Sequence, residues 1–305
     1  MRRSDDNRTK VATQGRDGTA CSCLGEDLHR HYAPPDLIQV VFEALAAAGK
    51  DPAHLGLDDL APLDEFHALG RKSTRELAAA VGINGTQRIL DIGAGLGGPA
   101  RYLAGTFGCR VTGVDLVEDY CRVATRLTEA TGLAHLVDFQ QGDALALPFP
   151  FGSFDVVWTQ HAVMNIPDKV TLYREIHRLL RPGGTLALYD ILAGPAEPVV
   201  YPVPWARRPE SSFLVTPETL RELLVATGFT VTLWQDRTAV ACEWFQRQVE
   251  RGRDQKPAPL GLHLLLGSDF RLMLANQQRN FVEERTLLAL VTAKKGPLPH
   301  DSGVV

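Results

Sequence analysis

Three aspartates close three apolar stretches of the chain: Asp91 in Arg88-Ile-Leu-Asp91, Asp115 in Val111-Thr-Gly-Val-Asp115, and Asp143 just past Val137–Gln140. The first runs straight into a glycine turn, Ile92-Gly93-Ala-Gly95-Leu-Gly-Gly98. The spacing Gly93-x-Gly95-x-x-Gly98 fits a dinucleotide fingerprint, so the glycines alone do not choose a ligand. Asp91 helps to choose. A carboxylate about 4 Å from a phosphate charge would cost roughly 4 kcal/mol at an effective dielectric near 20. The same carboxylate suits a ligand that brings an ammonium there, and S-adenosylmethionine carries an ammonium, a sulfonium and no phosphate. Asp115 lies about 20 residues beyond the turn, where an acid can bind ribose hydroxyls. Asp143, in Gly142-Asp143-Ala144, can accept from an adenine amino group.

A second set could act on an acceptor. His161, after the strand pattern at 154–159, is the best candidate for a base, which is needed only if the acceptor must lose a proton. Asn165 nearby can orient a polar group. Asp64-Glu-Phe-His67-Ala-Leu-Gly-Arg71 crowds charges and a histidine at the start of a helical pattern. His67 could face the acceptor. The planar fork of Arg71 suits a carboxylate. Tyr201 and Trp205 sit in a long loop, and aromatic faces attract ammonium groups. Each of these also has a plain structural reading, as a loop hydrogen bond, a solvated helix start or a loop packing on itself. Cys21, Cys23, His29 and His31 have a spacing that could hold a metal, but they read as a reduced pair and two histidines in a polar leader, and no metal is expected.

Positioning these residues needs strands and helices in alternation, the rhythm of a parallel sheet. Strands are predicted at about 88–92, 110–114, 136–140, 154–159, 185–190, 230–235 and 285–292, and helices at about 98–107, 117–131 and 168–180. Thr216 and Pro217 start another helix, and Gly228 ends it. The fold class is α/β, a doubly wound, seven-stranded, mostly parallel Rossmann-like sheet. A helical cap precedes it, with helices from Pro35 to Ala48 and from about Asp64 to Val81; Phe66, Leu69, Leu77 and Ala80 form a stripe on the second. The expected division is a leader at 1–25, a cap at 26–84, a main domain at 85–295 with a helical lid at 238–284, and a tail at 296–305. Ligands of such sheets bind at the carboxyl ends of the strands where the strand order reverses. That brings Asp91, Asp115, Asp143, Gln160, His161, Tyr189 and Asp190 around one crevice. The lid carries apolar Leu260-Gly-Leu-His-Leu-Leu-Leu266, which points to a greasy acceptor.

Taken together, the glycine turn with Asp91, the strand end at Asp115, Gly142-Asp143-Ala144 and Leu179-Leu-Arg-Pro-Gly-Gly184 resemble the class I S-adenosylmethionine-dependent methyltransferases over about residues 85–235. Leu96-Gly-Gly-Pro-Ala-Arg-Tyr-Leu-Ala104 and Leu147-Pro-Phe149 narrow the resemblance to two groups, the sarcosine and dimethylglycine N-methyltransferases and the quinone- and tocopherol-pathway C-methyltransferases. The resemblance implies S-adenosylmethionine as cofactor, held by Asp91, Asp115 and Asp143. Gly93 and Gly95 would let the backbone approach it, Leu116 and Ala144 would flank its adenine, and Gln160 would line the site. It also implies direct methyl transfer to a small molecule, with N-methylation of a small amine such as sarcosine or dimethylglycine as the leading expectation. A C- or O-methyltransferase of a quinol or phenol is the alternative. From other classes, a nicotinamide-dependent oxidoreductase and a non-catalytic S-adenosylmethionine-binding protein stay open.

Composition sets the outer limits. At 305 residues and 45% hydrophobic content the chain can bury a full core. A net charge of −4 with no basic stripe argues against nucleic acid as a partner. No apolar run reaches the roughly 18 residues of a membrane span, and Met1-Arg-Arg-Ser lacks the apolar core of a signal peptide, so the expected location is cytoplasmic. An odd count of 5 cysteines argues against a disulfide framework. A homo-oligomer is left open.

Overall fold

The computed structural model describes residues 36–254 and 258–297. Pro35, the expected leader, the Cys21–His31 group and most of the expected tail lie outside the described residues.

Among the described residues three helices precede the sheet. Helix α1 (Leu37–Ala47) buries Leu37, Val41, Ala44 and Leu45, while Val40, which its spacing would place on the same face, is only partly buried. The helix expected from Asp64 to Val81 is two: α2 (Leu57–Asp64) and α3 (Arg71–Val81). The chain turns between them through left-handed backbone at Leu69 (φ 68°) and Gly70 (φ 54°). Because the turn resets the helical phase, α3 buries Ser73, Thr74, Leu77 and Ala78, and Ala80 faces solvent.

The seven strands are β1 (Arg88–Ile92), β2 (Arg110–Asp115), β3 (Val137–Gln141), β4 (Phe154–Gln160), β5 (Leu180–Ala193), β6 (Phe229–Asp236) and β7 (Thr286–Lys295). Their order is β3-β2-β1-β4-β5-β7-β6. β7 is antiparallel to both neighbours, and the other pairings are parallel. The order reverses between β1 and β4, which fixes the crevice above the carboxyl end of β1. β5 is longer than expected: it takes in Arg181-Pro-Gly-Gly184, and the pairing jumps from Phe154–Leu180 to Val156–Thr185 to absorb the extra residues.

Helices α4 (Gly98–Phe107), α5 (Glu118–Ala130), α6 (Lys169–Leu179) and α7 (Pro217–Ala226) cover the two faces. Thr216 caps α7 by accepting from the Thr219 amide at 3.2 Å. The lid is α8 (Thr238–Asp254), a single turn at His263–Leu266 and α9 (Phe270–Val282), all inserted before β7. Leu37, Leu45 and Leu63 of the cap, Leu96 of the glycine turn and Leu265, Leu266 and Met273 of the lid share one apolar cluster. Cap and lid therefore close over the same edge of the sheet. Cys109 and Cys121 are buried, and burial pushes their thiols up to about 11 and about 12, so they pack as small hydrophobes. No helix among the described residues is long and apolar enough to cross a membrane.

A buried ion pair joins the cap to the glycine turn. Arg101 of α4 is fully buried; its Nη2 donates to Asp64 Oδ1 at 2.5 Å and to Leu96 O at 2.6 Å, and its Nη1 to Ala124 O and Thr128 Oγ1, each at 3.2 Å. Replacing Asp64 with asparagine keeps an accepting oxygen but removes the charge, so a loss of about 2 kcal/mol is expected, read as a lowered melting temperature. An unchanged melting temperature would show that the pair does not anchor the cap.

Candidate active site

Two cavities meet above the carboxyl ends of β1 and β4. The first is a cleft of about 1070 Å³, part of it open to solvent. Its walls include Gly93, Gly95, Asp115, Leu116, Asp143, Ala144, Gln160 and His161. The second, of about 510 Å³ and likewise partly open to solvent, lies under the lid. Phe66, His67 and His161 line both.

Asp64, Asp115 and Asp143 line the first cleft. Asp91, one residue before the end of β1, lines neither cavity; it is 2% exposed, and its Oδ2 has no hydrogen-bond partner among the described residues. Burial, and then the nearby Asp115, push its carboxyl up to about 8. An unpaired buried carboxylate under this pressure is the setting that a cationic group would relieve. Asp115 accepts from the Gly95 amide at 2.8 Å and from the Val117 amide at 3.0 Å. It therefore shapes the glycine turn as well as facing the cleft. Burial raises its carboxyl, and these amides work against that shift. Beside it Leu116 leaves 40% of its surface exposed, and with Ala144 and Ile166 it gives the cleft an apolar lining that suits a flat ring. Asp143 is steadied by the Leu145 amide, which donates to its Oδ1 at 2.9 Å.

The two glycines of the turn do different work. Gly93 has φ 72°, and a Cβ there would lie 2.2 Å from the Cβ of Ala162, so the residue is small because β4's exit loop packs on it. Gly95 has φ 55° and a Cβ would meet nothing within 4 Å, so its open side is the cleft. An acidic lining, an apolar shelf and an open backbone turn fit S-adenosylmethionine, with its cationic amino acid end and its adenine. Asp115→Asn should weaken cofactor binding about 10- to 100-fold, from loss of one charge-assisted hydrogen bond, measured by titration calorimetry. Unchanged affinity would remove Asp115 from the site.

The junction of the cavities is built from histidines. His161 follows β4 in left-handed backbone (φ 52°), a strained setting for a residue other than glycine, and its amide donates to Tyr189 O at 2.9 Å. Its Nε2 is buried and has no partner among the described residues. His67 lies 6.4 Å away between ring centroids. Its Nδ1 lies 3.0 Å from Ser73 Oγ, which itself donates to Gly70 O at 2.9 Å, and its Nε2 lies 3.4 Å from Glu65 Oε2. Burial pushes His67 down to about 4, and burial with the neighbouring His67 pushes His161 down to about 3. Both rings are neutral at physiological pH.

Other expected residues have different settings. Gln160 lines the cleft, but its Oε1 accepts from Trp158 Nε1 at 2.9 Å and Thr74 Oγ1 at 3.2 Å, which ties β4 to the cap. Asn165 also lines the cleft, and its Nδ2 donates to Trp205 O and Ser211 O at 2.8 Å each, so it holds the aromatic loop in place. Trp205 is on the wall of the second cavity, its Nε1 donating to Ser212 Oγ at 2.9 Å. Tyr201 lines neither cavity; it packs against the core. Arg71 also lines neither: it is engaged with Glu65 at 2.9 Å, with Leu57 O at 2.7 Å and with Asp58, because the break after α2 folds those acids back over it. Asp190 is not in the crevice. It faces α6, where it accepts from the Met164 and Ile191 amides, and burial raises its carboxyl to about 7, an effect that Lys169 opposes. The sequence reading missed Trp244, Phe245, Phe270 and Gln277, which complete the second cavity. The adjacent aromatics Trp244-Phe245 in the lid were a signal; Gln277, inside a polar run, gave none.

The model of a methyltransferase domain matches residues 90–188. Over 235 residues the chain is 29% identical to a glycine/sarcosine/dimethylglycine N-methyltransferase of Actinopolyspora halophila, covering 77% of this chain but only 41% of that protein's length. It is 30% identical to a sarcosine/dimethylglycine N-methyltransferase of Halorhodospira halochloris, across 73% of this chain and 79% of the other. Among solved structures the [4+2]-cyclase SpnF superposes with a TM-score of 0.63 at 24% identity, covering 84% of this chain and 94% of that one, a likeness of fold.

Proposed function

Because the chain belongs to the class I S-adenosylmethionine-dependent methyltransferases, we propose that it methylates an apolar phenol- or quinol-like acceptor held under the lid, with His161 as the residue that takes the acceptor's proton. The observation that carries this reading is the second cavity, which meets the cofactor cleft at His67 and His161 and is otherwise walled by apolar side chains, among them Met164, Ile191, Trp205, Trp244, Phe245 and Phe270, and by the amide of Gln277. Among the described residues no Lys, Arg, Asp or Glu lines it. A glycine-derived amine such as sarcosine brings a carboxylate, and burying that charge without a cation is costly. Arg71, the cation expected for it, is held in the cap. An apolar tertiary amine is a second reading, favoured by Trp205 and Trp244 on the wall, whose faces attract ammonium groups.

The cofactor supplies an electrophilic methyl group when bound. The chain's own work is alignment and exclusion of water. Holding two reactants in line contributes about 7–11 kcal/mol, and the lid and the aromatic loop keep the acceptor out of water. The neutral Nε2 of His161 can orient a hydroxyl by accepting its hydrogen bond. As oxygen gains the methyl group its proton becomes far more acidic than an imidazolium, so even a weakly basic ring receives it. His67, fixed by Ser73, borders the same point.

Tryptophan fluorescence tests the reading, since Trp205 and Trp244 face the cavity. With S-adenosylhomocysteine present, 1-naphthol should quench saturably at micromolar concentration and sarcosine should not below millimolar. Saturable quenching by sarcosine alone would overturn the apolar acceptor.

A further inference from the structure

We propose that Gln277 selects acceptors that carry a hydrogen-bond donor remote from the methylated oxygen. This rests on the apolar-acceptor reading above and deepens it. Gln277 lies on α9, is fully buried and lines the second cavity. Its Nε2 donates to Thr286 Oγ1 at 3.1 Å, at the start of β7, which fixes the plane of the amide. Its Oε1 is buried and has no hydrogen-bond partner among the described residues.

An unsatisfied carbonyl oxygen in an apolar wall is costly, and native interiors rarely leave one unpaired. The cavity holds a second such atom, His161 Nε2, at its junction with the cofactor cleft. Both unpaired atoms can accept, and the cavity is otherwise lined mainly by apolar side chains, with His67 at the junction. Its complement is an apolar body with two donors: the hydroxyl that is methylated at His161 and a second hydroxyl or N–H for Gln277 Oε1. A ligand of that kind satisfies both orphans, while one that lacks the second donor leaves Oε1 buried and unpaired. The residue therefore discriminates by the penalty it imposes on the wrong ligand.

The test uses para-alkylphenols with chains of two to six carbons that end in a hydroxyl, a methyl or a methoxy group. Each is titrated against the full chain with S-adenosylhomocysteine bound, by tryptophan quenching. At one chain length the hydroxyl-ended phenol should bind about tenfold more tightly than its methyl- and methoxy-ended partners, the worth of one good hydrogen bond. Gln277→Met should abolish that preference. Gln277→Glu, which keeps an accepting oxygen, should retain it, and both variants should bind S-adenosylhomocysteine as the parent does. No hydroxyl preference at any length, a preference for the methoxy end, or a preference that survives Gln277→Met overturns this role while leaving the apolar pocket standing. If no phenol of the series binds, the apolar-acceptor reading falls and the role of Gln277 falls with it.

Discussion

Replacing His161 with asparagine is expected to slow methyl transfer to a hydroxyl acceptor by 10²–10⁴-fold, the usual contribution of a positioned general base. Asparagine tolerates left-handed backbone better than most residues, so the φ of 52° at this position does not of itself oppose the exchange. Cofactor affinity should change little, since Asp91, Asp115 and the glycine turn are untouched. The loss should appear in kcat. The pH profile carries a further sign. Burial holds His161 near 3 and His67 near 4, so neither ring gains a proton between pH 8 and pH 5. At saturating cofactor, kcat should show no acid limb near the ordinary histidine value of about 6.5. Both rings have folded-state pKa values below the unfolded value, so their own contribution to stability falls as pH drops from about 6.5 to about 4, against the opposite contribution of Asp91 and Asp190, whose carboxyls burial raises. A kcat limb near 6.5, or full activity in His161→Asn, would refute the assigned role.

Gly95→Val should abolish cofactor binding, a loss of at least about 10³-fold. A valine at φ 55° costs roughly 1–2 kcal/mol of backbone strain. Its side chain meets no protein atom near the Cβ, because that side is the cleft itself. The variant should therefore fold with modest loss of stability and still fail to bind, as seen by calorimetry. Gly93 makes the contrast. Gly93→Ala drives a Cβ into Ala162 at 2.2 Å and should lower stability first. Binding by Gly95→Val within tenfold of the parent would show that the cofactor does not pass over this turn. Asp91 adds a pH signature to the parent. Its carboxyl titrates near 8 when unpaired, and an ammonium partner requires it ionised. Cofactor binding should thus release a proton, and affinity should fall as pH drops below about 8, by up to tenfold per unit.

The first cleft was legible because the signals for its strands and its glycine turn are local. Strand, glycine turn and strand-end acids occupy short windows, and Asp91 carries its meaning in its charge. The acceptor half was not. Its wall draws residues from the cap at Phe66, from β4's exit at His161 and Met164, from β5 at Ile191, from the loop at Trp205 and from the lid at Trp244 and Gln277. None of these segments signals alone that it will meet the others. The break at Leu69 and Gly70 was hidden by an apolar spacing that a continuous helix also satisfies, and it is this break that turns Arg71 back onto Glu65. Pro182-Gly183 read as a full stop before a strand, yet pairing with β4 continues on both sides of it. Asp190 followed the strand-end rule by position, but it faces α6 and lies away from the crevice.

The central claim is that an apolar hydroxyl acceptor receives its methyl group where the two cavities meet. One reaction tests it: labelled S-adenosylmethionine, the purified chain, and an equimolar mixture of 1-naphthol, a simple quinol, sarcosine and dimethylglycine, with products identified by mass. Label on the naphthol or the quinol, lost in His161→Asn, is the predicted result. Label on sarcosine or dimethylglycine, with none on the hydroxyl compounds, would contradict it.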